Sequence, residues 1–246
     1  MKRLLIGLLV ILTTLSLSSC EMIANFIPTQ TPYPTYTPNP TFTPYPTFTP
    51  LPTPTVPTST PEPSVLYQEN DFGGFDSCFE ETNLSGGKFY AENGLYHVAV
   101  ERSHWYLYST CEKSFRDFIL DVDATIVSGP DDTGYGVFFR KDGSGGFYSF
   151  MISADGYYSM QERYPEDNRI FVVLGWAPLK DVEQGRRTNH LRVIAVEDQL
   201  ELYVNDSFVG LLHQSSLRSG TFGFIVETYD EKDAVVAFDN LKITEP

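Results

Sequence analysis

The sequence predicts an all-β fold over residues 65–246, a two-sheet antiparallel β-sandwich that follows a disordered Pro/Thr-rich linker. Three observations predict it. Apolar and polar residues alternate in many short runs, turn signals separate those runs at close intervals, and no stretch sustains a helical apolar period. Many short strands punctuated in this way close into a sandwich or a barrel.

The runs justify themselves in order. Residues 94–100 alternate, and residues 118–126 place Phe118, Leu120, Val122, Ala124 and Ile126 on one face. Further runs cover 135–139, 147–152, 157–161 and 170–174, then 190–196, 200–204, 207–212, 222–227 and 235–243. Gly129-Pro130-Asp131-Asp132, Asp142 to Gly146 and Ser219-Gly220 are turns between them. Asp155-Gly156 and Asn205-Asp206 separate alternating runs, as hairpin loops do.

Ahead of this domain the chain changes character twice. Lys2 and Arg3 precede an apolar run from Leu4 to Leu15, too short for a comfortable membrane span of ~20 residues but of secretory-signal proportions. Residues 28–63 then hold 13 of the 17 prolines, and most of the rest are threonine. Thr-Pro-Tyr-Pro-Thr-Tyr from Thr31 is followed by Thr-Pro-Asn-Pro-Thr-Phe from Thr37 and Thr-Pro-Tyr-Pro-Thr-Phe from Thr43. Proline excludes helix and sheet here and leaves polyproline II, which for this length reaches on the order of 100 Å. Tyr33, Tyr36, Asn39, Phe42, Tyr45, Phe48 and Leu51 are three apart and share one face of that helix. The stripe reads as a stiffener of a stalk, or as a surface that docks on wall polymer or protein.

Charge and cysteines bound the function. All basic residues but Lys2 and Arg3, and all acidic ones but Glu21 and Glu62, lie in residues 65–246, which therefore carry the whole net charge of −15. An acidic surface excludes nucleic acid and disfavours anionic lipid as partners. Cys78 and Cys111 are an even pair in an exported domain and predict one disulfide.

Leu17-Ser18-Ser19-Cys20 resembles the lipobox of bacterial lipoproteins. The resemblance implies a signal peptide over 1–19, lipidation of Cys20 at the head of residues 20–27, a stalk over 28–64 and the sandwich domain over 65–246. It makes the membrane a partner through the lipid anchor and places the domain outside the cytoplasm. Residue 21 is Glu rather than Asp, so the usual inner-membrane retention signal is missing.

Phe115 to Ala124, Tyr135 to Arg140, Gly146 to Phe150, Asn189 to Val193, Leu200 to Asp206, Phe222-Gly223-Phe224 and Val236 to Ile243 occur in an order that resembles concanavalin A-like jelly rolls. Laminin-G-like and 3-keto-disaccharide hydrolase-like domains are among the branches it resembles. That fold hosts lectins, adhesion modules and glycosidases, so activity must be argued from a site. The Glu-x-Asp-x-x-Glu string of family 16 glycoside hydrolases is absent. Asp121 and Asp123 are two apart on one strand face and read as its solvent side. Glu197, Asp198 and Glu201 flank a turn and read as a solvated edge, and Glu227, Asp230, Glu231 and Asp233 read as an acidic loop that serves solubility. Two candidate sites remain. Trp105, Tyr157 and Trp176, with the tyrosines beside them, are the candidate glycan platform, against plain sandwich packing. Asp131 and Asp132, by analogy with rim loops of the relatives, are the candidate ligands for Ca2+, the one cofactor considered. The expectation is a non-catalytic carbohydrate-binding module. The alternatives are a glycoside-hydrolase-like enzyme and a module that docks an envelope protein.

Overall fold

A computed structural model describes residues 62–167 and 169–246. The signal peptide, the Cys20 lipidation site and nearly all of the stalk lie outside the described residues. The domain is built of strands, with one short 3-10 turn at Pro165–Asp167. In chain order these are β1 Val65–Glu69, β2 Thr82–Leu84, β3 Gly87–Glu92, β4 Leu95–Val100, β5 Trp105–Phe115, β6 Phe118–Ser128, β7 Gly134–Lys141 and β8 Phe147–Ser153. They continue as β9 Tyr157–Tyr164, β10 Arg169–Pro178, β11 Thr188–Val196, β12 Gln199–Val204, β13 Ser207–His213, β14 Gly220–Thr228 and β15 Ala234–Thr244.

Two antiparallel sheets result. One runs β13-β12-β11-β6-β15-β4-β3-β2, with β1 on the far end of β15; the other runs β10-β9-β8-β7-β14-β5. The expected runs all fall on strands. Structure adds β1, β2, β3 and β5 to these runs; on β3, Gly87-Lys88-Phe89-Tyr90 is too polar to read as a strand until β4 pairs with it. At the β12–β13 hairpin, Asn205 and Asp206 take φ of 51° and 63°. Both central residues of a type I′ turn need that left-handed backbone, and Asn and Asp tolerate it.

The core lies between the sheets. β6 turns Phe118, Leu120, Val122, Ala124 and Ile126 inward, as the alternation requires. Phe224 on β14 stacks on Phe79 (4.6 Å, 15°) and on Phe238 of β15 (4.2 Å, 8°), linking the layers. Cys78 and Cys111 form the expected disulfide and tie the long β1–β2 connection to β5.

The central strands β7 and β8 of the six-stranded sheet are buried on both faces. Away from the main core, Phe138, Phe147, Met151 and Ile225 form a second apolar cluster, joined by Tyr106, Tyr108 and Trp176. This explains why β7 and β8 read as nearly continuous apolar runs rather than clean alternations.

Candidate functional site

The site lies on this second face. Register sets Tyr106 opposite Glu227, Glu227 opposite Gly134, Gly134 opposite Ser153 and Ser153 opposite Tyr157, one row across five strands. A second alternation, Ser159, Gln161 and Arg163 on β9, faces the same way, while Tyr158 and Met160 face the main core.

Arg163 Nη2 donates to Glu227 Oε2 at 2.5 Å, although β8 and β7 lie between their strands. Register sets Arg163 opposite Phe147 but Glu227 in the row of Ser153, so three inter-strand steps and this offset along the strands would part the two positions by more than about 20 Å in a flat sheet, beyond the reach of the two side chains. The contact closes because the sheet curls over this face, making it concave. Tyr229 Oη donates to the same carboxylate oxygen at 3.2 Å, and the Arg163 guanidinium lies 5.1 Å from the centre of the Tyr106 ring. Arg163 is 1% exposed, and its Nε and Nη1 have no hydrogen-bond partner among the described residues. Burial raises the phenols of Tyr106, Tyr108 and Tyr229, with the nearby Glu227 charge adding to the effect on Tyr229. All three are therefore neutral hydroxyls near pH 7.

Beside this pair opens a cavity of about 280 Å³ lined by Asp132, Ser153, Asp155, Tyr157, Trp176 and Tyr229. A break in β10–β9 register between Leu174 and Ala177 leaves Gly175 and Trp176 out of the ladder. Such a bulge re-aims a side chain, and here the Trp176 indole lies over Gly134. A Cβ on residue 134 would sit 3.0 Å from Trp176 Cζ2 and 3.3 Å from Tyr229 Oη, so glycine makes the room. Trp176 and Tyr229 meet edge to face at 6.2 Å. Ser153 Oγ donates to Asp155 Oδ1 at 2.5 Å and fixes that carboxylate at the rim.

The structure brings Trp176, Tyr157 and Asp132 into one cavity and leaves Trp105 and Asp131 out of it. Trp105 shares its strand parity with core residue Leu107, so it faces away from Tyr106 and Tyr108. It is 39% exposed and packs against Arg102 at 5.1 Å. Asp131 is ion-paired with Arg186 at 2.5 Å. A cation held there would compete with that guanidinium, and among the described residues no group of three or more His, Cys, Asp or Glu is placed to hold a metal. Of the two carboxylates expected to hold Ca2+, Asp131 is engaged by Arg186 and Asp132 lines the cavity.

Glu227 is the main correction to the sequence reading. It belongs to β14 and a buried ion pair rather than to a solubilising acidic loop. The stripe Ser159-Gln161-Arg163, three polar residues at alternate positions of an otherwise buried strand, was the available signal for this face. Asp121 and Asp123 lie on the outer side of the other sheet. His190 stands between them, with Nε2 3.0 Å from Asp121 and Nδ1 2.8 Å from Asp123. Arg192 Nε donates to Asp121 at 2.6 Å, and Asn240 Nδ2 donates to Asp123 at 2.9 Å.

No protein-family model matches the sequence, and no curated protein matches it. Solved structures do. The fold is similar to carbohydrate-binding module CBM66 from Bacillus subtilis, at 20% identity and TM-score 0.56 over 69% of this chain and 96% of that one. It is similar to a protein of unknown function with a galectin-like fold from Bacillus subtilis, at 12% identity and TM-score 0.52 over 74% and 96%. It is also similar to the laminarinase catalytic domain from Thermotoga maritima, at 11% identity and TM-score 0.54 over 74% and 98%. At these identities the likeness is one of fold: the described domain is a concanavalin A-like jelly roll.

Proposed function

We propose that the domain is a non-catalytic carbohydrate-binding module whose ligand docks on the concave face, presented outside the cytoplasm on a stalk anchored through Cys20. The observation that carries the reading is the aromatic cavity, whose Trp176 wall rests on Gly134. Sugar rings stack their C–H faces on aromatic rings, and carboxylates at the rim accept from their hydroxyls. Trp176, Tyr229 and Tyr157 supply the first function and Asp132 and Asp155 the second. Such a site, mostly aromatic with a few convergent polar groups, has the make-up of a small-molecule pocket. The fold likeness to a carbohydrate-binding module supports it.

A glycan array probed with the full chain and with Trp176→Ala tests the reading. Binding to a defined glycan that Trp176→Ala loses supports it; binding to none, or binding indifferent to Trp176, defeats it.

One observation favours a second reading. Asp132 and Asp155 line one cavity, and glycoside hydrolases use two carboxylates about a scissile bond. Release of reducing ends from a bound polysaccharide, abolished by Asp155→Asn, would replace the binding module with an enzyme. Unchanged polysaccharide leaves the module.

A further inference from the structure

The lining of the cavity says more about its ligand than that it is a sugar. Three aromatic side chains and two carboxylates converge there, and no lysine or arginine lines it. Among the described residues neither Asp132 nor Asp155 belongs to an ion pair, whereas neighbouring Asp131 is held by Arg186. Arg163, on the same face, is already neutralised by Glu227. The cavity thus holds negative charge without a protein counter-ion, beside rings whose faces attract cations. Tyr157 is 40% exposed, and Asp132 and Asp155 are exposed, so the mouth is open to solvent. A net charge of −15 draws cations towards it and repels polyanions.

We infer that the preferred ligand is a glycan bearing protonated amines, a hexosamine oligomer with free rather than acylated amino groups. The inference rests on the glycan-binding reading above and deepens it. The ammonium sits against the Trp176 and Tyr229 rings and donates to Asp132 and Asp155, while the next sugar ring lies along Tyr157. Cation–π contact and a charge-assisted hydrogen bond act together on the one group that acylation removes.

The test titrates the full chain, by calorimetry, with three tetrasaccharides: β-1,4-linked glucosamine, its N-acetylated form and a β-glucan. The glucosamine oligomer is expected to bind at least about tenfold tighter than the other two, the factor that roughly 1.4 kcal/mol provides. Asp132→Asn/Asp155→Asn should remove that preference. Glu80→Gln/Glu81→Gln, which takes the same charge from exposed positions elsewhere, should keep it. Equal affinity for acylated and free forms overturns the inference but leaves the glycan reading standing. So does failure of all three to bind while the array returns another sugar. Equal loss in both double variants reduces the effect to general attraction and also overturns it. An array without any ligand removes the glycan reading itself.

Discussion

Arg163 on β9 and Glu227 on β14 meet across two intervening strands, Nη2 to Oε2 at 2.5 Å, and so hold the six-stranded sheet curled around its own outer face. Tyr229 and Tyr106 complete the cluster. The cavity beside it depends on that curl, because Tyr229 is shared by both.

Breaking the pair on one side leaves a buried charge uncompensated. Glu227→Gln should cost about 3–5 kcal/mol, since the Arg163 side chain is 2% exposed. For a domain of this size that lowers Tm by roughly 6–20 °C in a thermal melt. Arg163→Met combined with Glu227→Gln removes both charges and should recover much of the loss. A double variant as unstable as the single one would show that the loss does not come from an uncompensated charge on Arg163.

Gly134 separates the site from the fold. Gly134→Ala places a methyl 3.0 Å from the Trp176 indole, which stands at the cavity wall rather than in the main core. Glycan affinity should fall by about tenfold or more, while stability changes by no more than about 1 kcal/mol. Calorimetry and a melt on the same preparation check both. Unchanged affinity would mean that the ligand does not use the Trp176 wall that rests on Gly134.

The disulfide acts on the unfolded chain. Its sequence separation of 33 residues corresponds to roughly 3–4 kcal/mol in the chain-entropy account. Cys78→Ser/Cys111→Ser should lower the urea midpoint accordingly and loosen the Phe79 contacts with Phe222 and Phe224 first. Hydrogen exchange in the β1–β2 connection reads this directly.

His190 makes stability depend on pH. The Asp121 hydrogen bond raises its pKa above the ordinary 6.5 against the effect of burial, with Asp123 adding to the rise. Burial would raise the Asp121 carboxyl, but its hydrogen bonds to His190 and Arg192 outweigh that and hold it below 3.8. The histidine's contribution is therefore fully present below pH 6.5 and fades as pH climbs through the raised value. The Asp121 contribution is present above pH 3.8 and fades as pH falls through the lowered one. Tm should decline from slightly acid to alkaline pH, and His190→Gln should flatten that limb. A His190→Gln profile parallel to the parent would refute the assignment.

Much of this fold was legible in local pattern. The face shared by Phe118, Leu120, Val122, Ala124 and Ile126 appears as the alternation requires. The Asn205-Asp206 hairpin forms with the backbone those residues favour. The site was less legible, because it is assembled by strand order. β14 inserts between β7 and β5, placing Glu227 across from both Gly134 and Tyr106, and no local pattern encodes that. The ring of Trp176 marks it in the sequence, but its aim depends on a bulge that a run of apolar residues conceals. The same run begins with Ile170-Phe171-Val172, which forms the expected strand but lies exposed on the sheet edge. Trp105 illustrates the opposite error, since strand parity with Leu107 turns an exposed tryptophan away from the cavity.

The central claim is that glycan binds the concave face at Trp176. Hydrogen exchange of the full chain, with and without a sugar returned by the array, tests it most directly. The account predicts slowed exchange in the β7–β8–β9 amides around Gly134, Ser153 and Tyr157 and in the segment through Trp176. Protection confined to the opposite sheet, around β11, β6 and β15, would contradict it.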